Sequence, residues 1–283
     1  SGGQGARSIA DIDETSVYWQ YMMDQIKAAV TLNSTLGQSF SVLALWWCQG
    51  DSDRYNPPEY YMPKLIDLKN KFVAQVKALT RQSFDPIWIT YQLSTRYADA
   101  PTWPVSIAQW QASLRDPTIM ISSPMYPCEY NVTGPHLTGP GSLNLGKFYG
   151  RALAHIITTG KRWVPLSPRQ ISWSQRIIDI SYNVPVKPMQ INTTLIAPAS
   201  NYGFDIWRNG SQLTGAISSV TLVDEDRVRI ALAIDPQAGD VLCFARGNQG
   251  EYGNGPDDGA RGNICDSAST TLPNWSIMFE YTY

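Results

Sequence analysis

The hydrophobic pattern of the chain changes its period near residue 162, and this change limits the folds that the chain can adopt. Before that point, segments with apolar residues at every third or fourth position alternate with short, continuous apolar runs. The runs lie at 39–47, 86–93 and 118–125, and the helical segments at 17–30, at 61–79, from Pro104 onward and at 141–160. This alternation predicts a parallel sheet with helices on both of its faces.

Beyond Trp163 the apolar residues recur at every second position, as Val228, Ile230 and Leu232 do. A turn sequence, Asn209-Gly210, separates two such segments and is typical of a tight β-hairpin. The pattern predicts a small β-sandwich. We therefore expect two domains, at residues 1–162 and 163–283, with residues 163–168 as the linker.

The composition excludes several classes of function. The net charge of −2 leaves no basic surplus for nucleic acid or anionic lipid, and no run of 18 apolar residues predicts a membrane span. With two histidines and four cysteines that lack C-x-x-C spacing, we expect no metal site and no cofactor. Cys243 and Cys265 are candidates for a disulfide, and the sequence does not decide whether they pair. The 11% of aromatic residues suits sugar-binding surfaces and packed cores equally.

Polar residues of types that act in catalysis follow two of the predicted strands. Gln49-Gly50-Asp51 follows the first strand, and His136 lies in the segment after the third. Ligands of open parallel sheets bind beyond the carboxyl ends of the strands, so Asp51 and His136 are expected at one edge, where the acid can orient the imidazole as a general base. The alternatives are a helix cap for Asp51 or Asp53 and an ordinary polar loop residue for His136. His155 lies mid-helix and is interpreted as a packing or surface residue.

Four segments resemble blocks of the sialate O-acetylesterase-like carbohydrate esterases of the SGNH-hydrolase superfamily. "WWCQGDSD" is similar to their W-x-Q-G-E-S block, and "GPHLTGPGSLNLGKFYGRAL" to their final block, in which a catalytic histidine precedes a helix. "GGQGARSIADID" resembles the second block, and "IAQWQASL" resembles the intervening helix with its internal glutamine. Order and spacing agree over about residues 1 to 160.

The resemblance implies a flavodoxin-like three-layer α/β/α fold and hydrolysis of acetyl esters on a glycan or polysaccharide. It implies that His136 is the general base and that Asp51 orients it. The oxyanion donors would be the backbone N–H of Gly3 and the side-chain amide of Gln49. We further expect substrate contacts from Asp53, Arg54 and Arg96.

The sequence departs from the family pattern at two points. Thr133 stands where many members have an aspartate three residues before the histidine, which assigns the acidic role to Asp51. The Gly-x-Ser block with the nucleophile is absent, and Ser1 and Ser8 are the only serines near the expected edge. The serine is therefore expected upstream or on a separate N-terminal polypeptide; otherwise the protein is not an enzyme.

The second half resembles β-sandwich domains that accompany such esterases, including those of bacteriophage tail and tailspike proteins. The polar loop at 253–267 is expected to reach over the esterase cleft. We expect an extracellular or virion-surface location, with a secreted bacterial protein as the alternative. The sequence does not decide whether the protein forms oligomers. An acetylesterase is the favoured function; a glycan- or receptor-binding protein on an esterase scaffold and a purely structural module are the alternatives.

Overall fold

The computed structural model describes residues 5–95, 103–131, 135–247 and 254–283. In the first half (residues 1–162) helices and strands alternate, as the hydrophobic pattern predicts. The order is α1 (Val17–Thr35), β1 (Ala44–Trp47), α2 (Pro58–Thr80), β2 (Ile87–Gln92), α3 (Trp103–Arg115), β3 (Ile119–Pro124) and α4 (Gly139–Thr159).

The three strands form a parallel sheet in the order β1-β2-β3, with Ala44 opposite Ile87 and Ile89 opposite Met120. β1 is shorter than the predicted run at 39–47, because only its last four residues pair with β2. Strand pairing depends on a partner elsewhere in the chain, so an apolar run alone does not set the length of a strand.

The helices cover both faces of this sheet. Consecutive side chains of a strand point to opposite faces, and the two tryptophans of β1 contact different helical layers. The Trp46 ring stacks on Tyr149 of α4, whereas Trp47 packs on Trp88, which in turn contacts Phe72 of α2. α2 and α4 therefore lie on opposite sides, in three α/β/α layers. The described part of the sheet has three strands, and the finer flavodoxin-like assignment stays a prediction.

The boundaries of α4 follow from its sequence. The Thr138 hydroxyl caps the first turn by accepting a hydrogen bond from the N–H of Gly141 at 3.0 Å. The helix ends at Gly160, which adopts a left-handed conformation with φ of 66° and donates to the Ile156 carbonyl. The helix therefore ends where the predicted helical segment at 141–160 ends.

The second half (residues 163–283) consists mainly of antiparallel strands. One four-stranded sheet has the order β4 (Ser167–Ser174), β5 (Ile177–Asn183), β10 (Arg227–Leu232) and β9 (Ile217–Asp224). The other has the order β13 (Phe279–Thr282), β11 (Val241–Phe244), β7 (Phe204–Arg208) and β8 (Ser211–Gln212), and a short pair joins β12 (Ile264–Cys265) to β6 (Gln190–Ile191). Val228, Ile230 and Leu232 are buried, in agreement with the period of two.

The two halves share buried hydrogen bonds. The Gln92 side chain, at the end of β2, accepts from the Met278 N–H at 2.6 Å and donates to the Met278 carbonyl at 2.7 Å. Tyr126 donates to the Ser276 carbonyl. The boundary at residue 162 stays a prediction, because the segment before β13 packs against the first half.

Two further expectations concern the chain as a whole. All four cysteines carry free thiols, so Cys243 and Cys265 do not form a disulfide in this structure. None of the helices in the described ranges is long and apolar enough to cross a bilayer.

Candidate active site

The turn after β1, residues 48–53, is called the acidic turn below. Its backbone requires glycine at position 50, where φ is +152°. A Cβ atom there would lie 3.0 Å from side-chain atoms of both Leu93 and Val105. The turn is thus pressed against the core behind it, and the chain direction changes sharply before Asp51.

Gln49 connects the acidic turn to the segment at Arg7 and to α2, and it also bonds to Asp53 within the turn. Its amide nitrogen donates to the Arg7 carbonyl at 3.0 Å and to the Asp53 carboxylate at 2.5 Å. Its amide oxygen accepts from the Tyr61 hydroxyl of α2 at 2.9 Å. Both amide hydrogens are therefore given to protein oxygens, and neither is left for an oxyanion in this structure. In this structure the side chain of Gln49 holds the turn, and its role as an oxyanion donor stays a prediction.

Asp53 is fully buried and also holds the turn. In addition to the bond from Gln49, its carboxylate accepts from the backbone N–H of Ile9 at 2.7 Å and from the Asn56 amide at 2.8 Å. Buried carboxylates are stable when their oxygens are hydrogen-bonded in this way. In this structure the side chain of Asp53 has no exposed surface, and its predicted contact with a substrate stays a prediction.

Gln109 of α3 completes the support of the turn. Its amide donates to the Gln49 carbonyl at 3.2 Å and accepts from the N–H of Leu93 at 2.8 Å. It is one of two glutamines in the "IAQWQASL" segment, which was compared with a helix that has an internal glutamine, and its partners are visible only in the folded chain. It links the ends of β1 and β2.

Arg54 lies directly after the acidic turn and is half-buried. Its guanidinium stacks over the ring of Tyr55 at 4.6 Å from the centroid and donates to the Asp51 carbonyl at 3.4 Å. It brings a positive charge to the same edge as Asp51. Gly3 and Arg96, predicted as oxyanion donor and substrate contact, lie outside the described residues, as does Thr133.

His136 lies in the segment between β3 and α4, called the histidine loop below (residues 126–131 and 135–138). The loop is closed by a bridge between Tyr130 and Leu137, by a bond from the Asn131 N–H to the His136 carbonyl at 2.8 Å, and by Thr138 N–H to Glu129. These are backbone contacts, and the imidazole itself is exposed. The loop places the side chain at the entrance of a cleft.

One cleft of about 720 Å³ brings the predicted residues together. Gln49, Asp51, Arg54 and His136 all line it, at the carboxyl edge of the sheet. The volume is in the range of small-molecule sites. Among the described residues, Asp51 and His136 line the same cleft, but no hydrogen bond connects their side chains. Catalytic hydrogen bonds are often long before substrate binds.

Cys48 also lines the cleft and was not among the predicted site residues. Burial raises the pKa of its thiol, and the nearby negative charge of Asp51 raises it further, while a hydrogen bond with Tyr91 offsets part of the shift. Cys48 is nevertheless exposed at the surface of the cleft. Because the thiolate is the nucleophilic form, the raised pKa disfavours that form.

Two hydroxyl side chains in the cleft, Ser52 and Ser142, were likewise not predicted. Ser142 lies in the first turn of α4, two turns before Tyr149, whose hydroxyl donates to the Trp47 carbonyl at 2.7 Å. Within the described ranges, no serine side chain is hydrogen-bonded to the imidazole of His136.

Three further predictions concern His155, the polar loop at 253–267 and metal binding. His155 is half-buried with its ring at 5.5 Å from that of Trp163, in edge contact, as a packing residue would be. Gly255, in the polar loop predicted to reach over the cleft, lies against Cys128 and Tyr130 at the base of the histidine loop. No residue of 254–267 lines the cleft itself. Among the described residues, no group of three or more acidic, cysteine or histidine side chains is arranged to hold a metal.

Comparisons with known proteins give a fold but no family. No protein-family model and no curated protein sequence matches the chain. Among solved structures it is similar to a novel carbohydrate acetylesterase from Xanthomonas citri, with 15% identity and a TM-score of 0.54. The match covers 84% of this chain and 50% of the acetylesterase, so the chain spans about half the length of that protein.

The N-terminal part of the bacterial S-layer protein SbsC also matches 52% of the chain, at 14% identity, but its TM-score of 0.27 carries no argument. The chain therefore shares its fold, an α/β layer arrangement followed by β-sheets, with a carbohydrate acetylesterase.

Proposed function

We propose that the protein is a carbohydrate O-acetylesterase that removes acetyl groups from a glycan or polysaccharide. The observation that carries the proposal is the presence of Asp51 and His136 in one cleft at the carboxyl edge of the sheet. The fold shared with a carbohydrate acetylesterase supports it. Such a substrate corresponds to an extracellular or virion-surface protein, or to a secreted bacterial one.

The proposed reaction uses a serine, an imidazole and an acid. The imidazole of His136 takes the proton of the serine hydroxyl while the oxygen attacks the acetyl carbonyl, and Asp51 stabilises the imidazolium. His136 then gives the proton to the departing sugar oxygen, and water hydrolyses the acetyl-enzyme by the same route. The oxyanion donor remains the backbone N–H of Gly3, since both amide hydrogens of Gln49 are engaged.

The nucleophilic serine is proposed to come from a segment outside the described residues, either upstream in the same polypeptide or on a separate one. The outer edge of β1 supports this. In the described sheet β1 pairs with β2 alone, and Leu43 and Trp46 are 45% and 53% exposed. Open edges with apolar side chains accept a further strand. A strand parallel to β1 would end beside the acidic turn, within the cleft that His136 lines.

The test compares two histidine variants of the complete protein. His136→Ala is expected to lower aryl acetate hydrolysis and acetate release from an acetylated polysaccharide by roughly 10²–10⁴-fold, because general base catalysis contributes about that much. His155→Ala is the matched control, since His155 does not line this cleft. Near-normal turnover by His136→Ala would refute the proposal.

A second candidate is a glycan-binding protein that retains the esterase scaffold without catalysis. The observation in its favour is that no serine within the described ranges is hydrogen-bonded to His136. It predicts saturable binding of an acetylated polysaccharide with no acetate released. Acetate release by the wild-type protein that is lost in His136→Ala eliminates this candidate.

A further inference from the structure

A second cleft, of about 700 Å³, lies between the two halves of the molecule. It is called the basic cleft below. One wall comes from α4 and the residues after it, including Arg151 and Arg162. The opposite wall comes from the second half, with Arg169 on β4 and Lys187 after β5. None of its lining residues belongs to the cleft that contains His136.

The charge of the basic cleft differs from that of the chain as a whole. The protein has 22 basic and 24 acidic residues. Among the described residues that line the cleft, four are cationic, Arg151, Arg162, Arg169 and Lys187, and Asp226 is the single acid. Asp226 accepts from Lys187 at 2.5 Å, which leaves the three guanidinium groups as the excess charge. Cations concentrated in a concave surface attract anions.

Two of the guanidinium groups are held in place by the fold. Arg151 donates to the Asn274 side chain at 2.5 Å and to the Leu272 carbonyl at 2.7 Å, so α4 and the C-terminal segment both position it. Arg162 donates to the Ser113 carbonyl at 2.9 Å. Arginines fixed by neighbouring groups lose little conformational freedom when they bind a ligand.

The solvation of Arg151 also favours an anionic ligand. Burial lowers the pKa of this arginine, which means that its charge is less well solvated than in water. Asp266 lies near Arg151, and Asp116 lies near Arg162; both offset part of the positive charge from behind the cleft. Neither acid lines the cleft, so the surface that a ligand meets remains cationic.

The rest of the lining suits a polar organic molecule larger than a simple ion. Thr158 and Asn183 supply hydrogen-bonding groups, and Trp163 with Pro185 supplies apolar surface. Sites for small molecules combine apolar walls with a few placed polar groups in this way. The volume exceeds what an inorganic anion requires.

We propose that the basic cleft binds an acidic sugar through its carboxylate, with the guanidinium groups of Arg162 and Arg169 as direct contacts. Planar guanidinium groups match a carboxylate with two parallel hydrogen bonds. The proposal does not require hydrolysis, so binding is measured separately from any esterase activity.

The test is a titration of the protein with D-glucuronic acid, glucose and glucose 6-phosphate, followed by NMR or calorimetry. Glucuronic acid is expected to bind with a dissociation constant on the order of 1 mM, as for a ligand of this size. Neutral glucose is expected not to saturate. The double variant Arg162→Gln, Arg169→Gln should weaken glucuronic acid binding about tenfold or more, because each substitution removes hydrogen bonds to a charged group.

The matched control is Arg81→Gln, an exposed arginine that lines neither cleft. Its affinity for glucuronic acid should equal that of the wild type. Equal binding of glucose, or unchanged binding by the double variant, would overturn the proposal. Binding of glucose 6-phosphate without glucuronic acid would show that the cleft takes a phosphate and overturn the carboxylate assignment.

Discussion

The acidic turn and the histidine loop face the same cleft but are held in different ways. The acidic turn is anchored by buried side chains from separate segments, with Gln49 and Asp53 at its centre and Tyr61 and Gln109 behind it. The histidine loop is closed by backbone contacts, and the imidazole of His136 is exposed. The difference indicates that the acid has a fixed position, whereas the imidazole can adjust to a substrate. Three predictions separate these two modes of support.

The largest effect is expected for Asp53→Ala. The substitution leaves three donors, the Ile9 N–H and the amides of Gln49 and Asn56, without their buried acceptor. We expect a loss of about 3 kcal/mol or more in the free energy of unfolding, measured with denaturant, since each unsatisfied buried group costs about 1–3 kcal/mol. Asp51→Ala, two residues earlier, should cost about 1 kcal/mol or less in stability but remove activity. Equal destabilisation by both variants would contradict the assigned division of roles.

Gly50→Ala is expected to cost about 2 kcal/mol, because the new Cβ meets Leu93 and Val105 in a backbone conformation that favours glycine. Gly160→Ala is the matched control: its φ is also positive, at 66°, but its Cβ would enter open space. We expect about 1 kcal/mol there. The excess at position 50, read from thermal or denaturant unfolding, measures how tightly the acidic turn is pressed on the core. If Gly50→Ala and Gly160→Ala destabilise the protein equally, the acidic turn can move away from Leu93 and Val105 at little cost.

Thr138→Ala should have the smallest effect on stability, about 1 kcal/mol, because it removes the cap of α4. Ser16→Ala removes the corresponding cap of α1, where the Ser16 hydroxyl accepts from Trp19. The two variants should be equally destabilised in unfolding experiments. Only Thr138→Ala should also lower the rate of ester hydrolysis, since Thr138 is the last residue of the histidine loop. Equal rates in the two variants would show that the loop does not depend on this helix end.

Much of the architecture follows from local patterns. The period of three to four predicts α2 and α4, and Gly160 marks the end of α4 because few other residues adopt its conformation readily. The position of Asp51 and His136 at one edge follows from the direction of parallel strands. The shared cleft agrees with that prediction.

The features that the sequence could not predict are contacts between distant segments. The hydrogen bonds of Gln49 reach Arg7 and Tyr61, and a motif cannot show that they occupy its amide. Asp53 looks like a site residue because it follows Asp51, yet its burial depends on Ile9. The basic cleft joins Arg151 to Lys187 across the two halves and has no local signature.

The amide of Gln92 bonds to both backbone groups of Met278, in the manner of a neighbouring strand. Both partners are buried, so separating the halves would break both hydrogen bonds and transfer buried groups of each half to water. The change of hydrophobic period near residue 162 thus does not mark a boundary between two units that unfold independently. Unfolding of the antiparallel sheets should also destabilise the parallel sheet, which they contact at the end of β2. The two halves should therefore unfold in one cooperative transition.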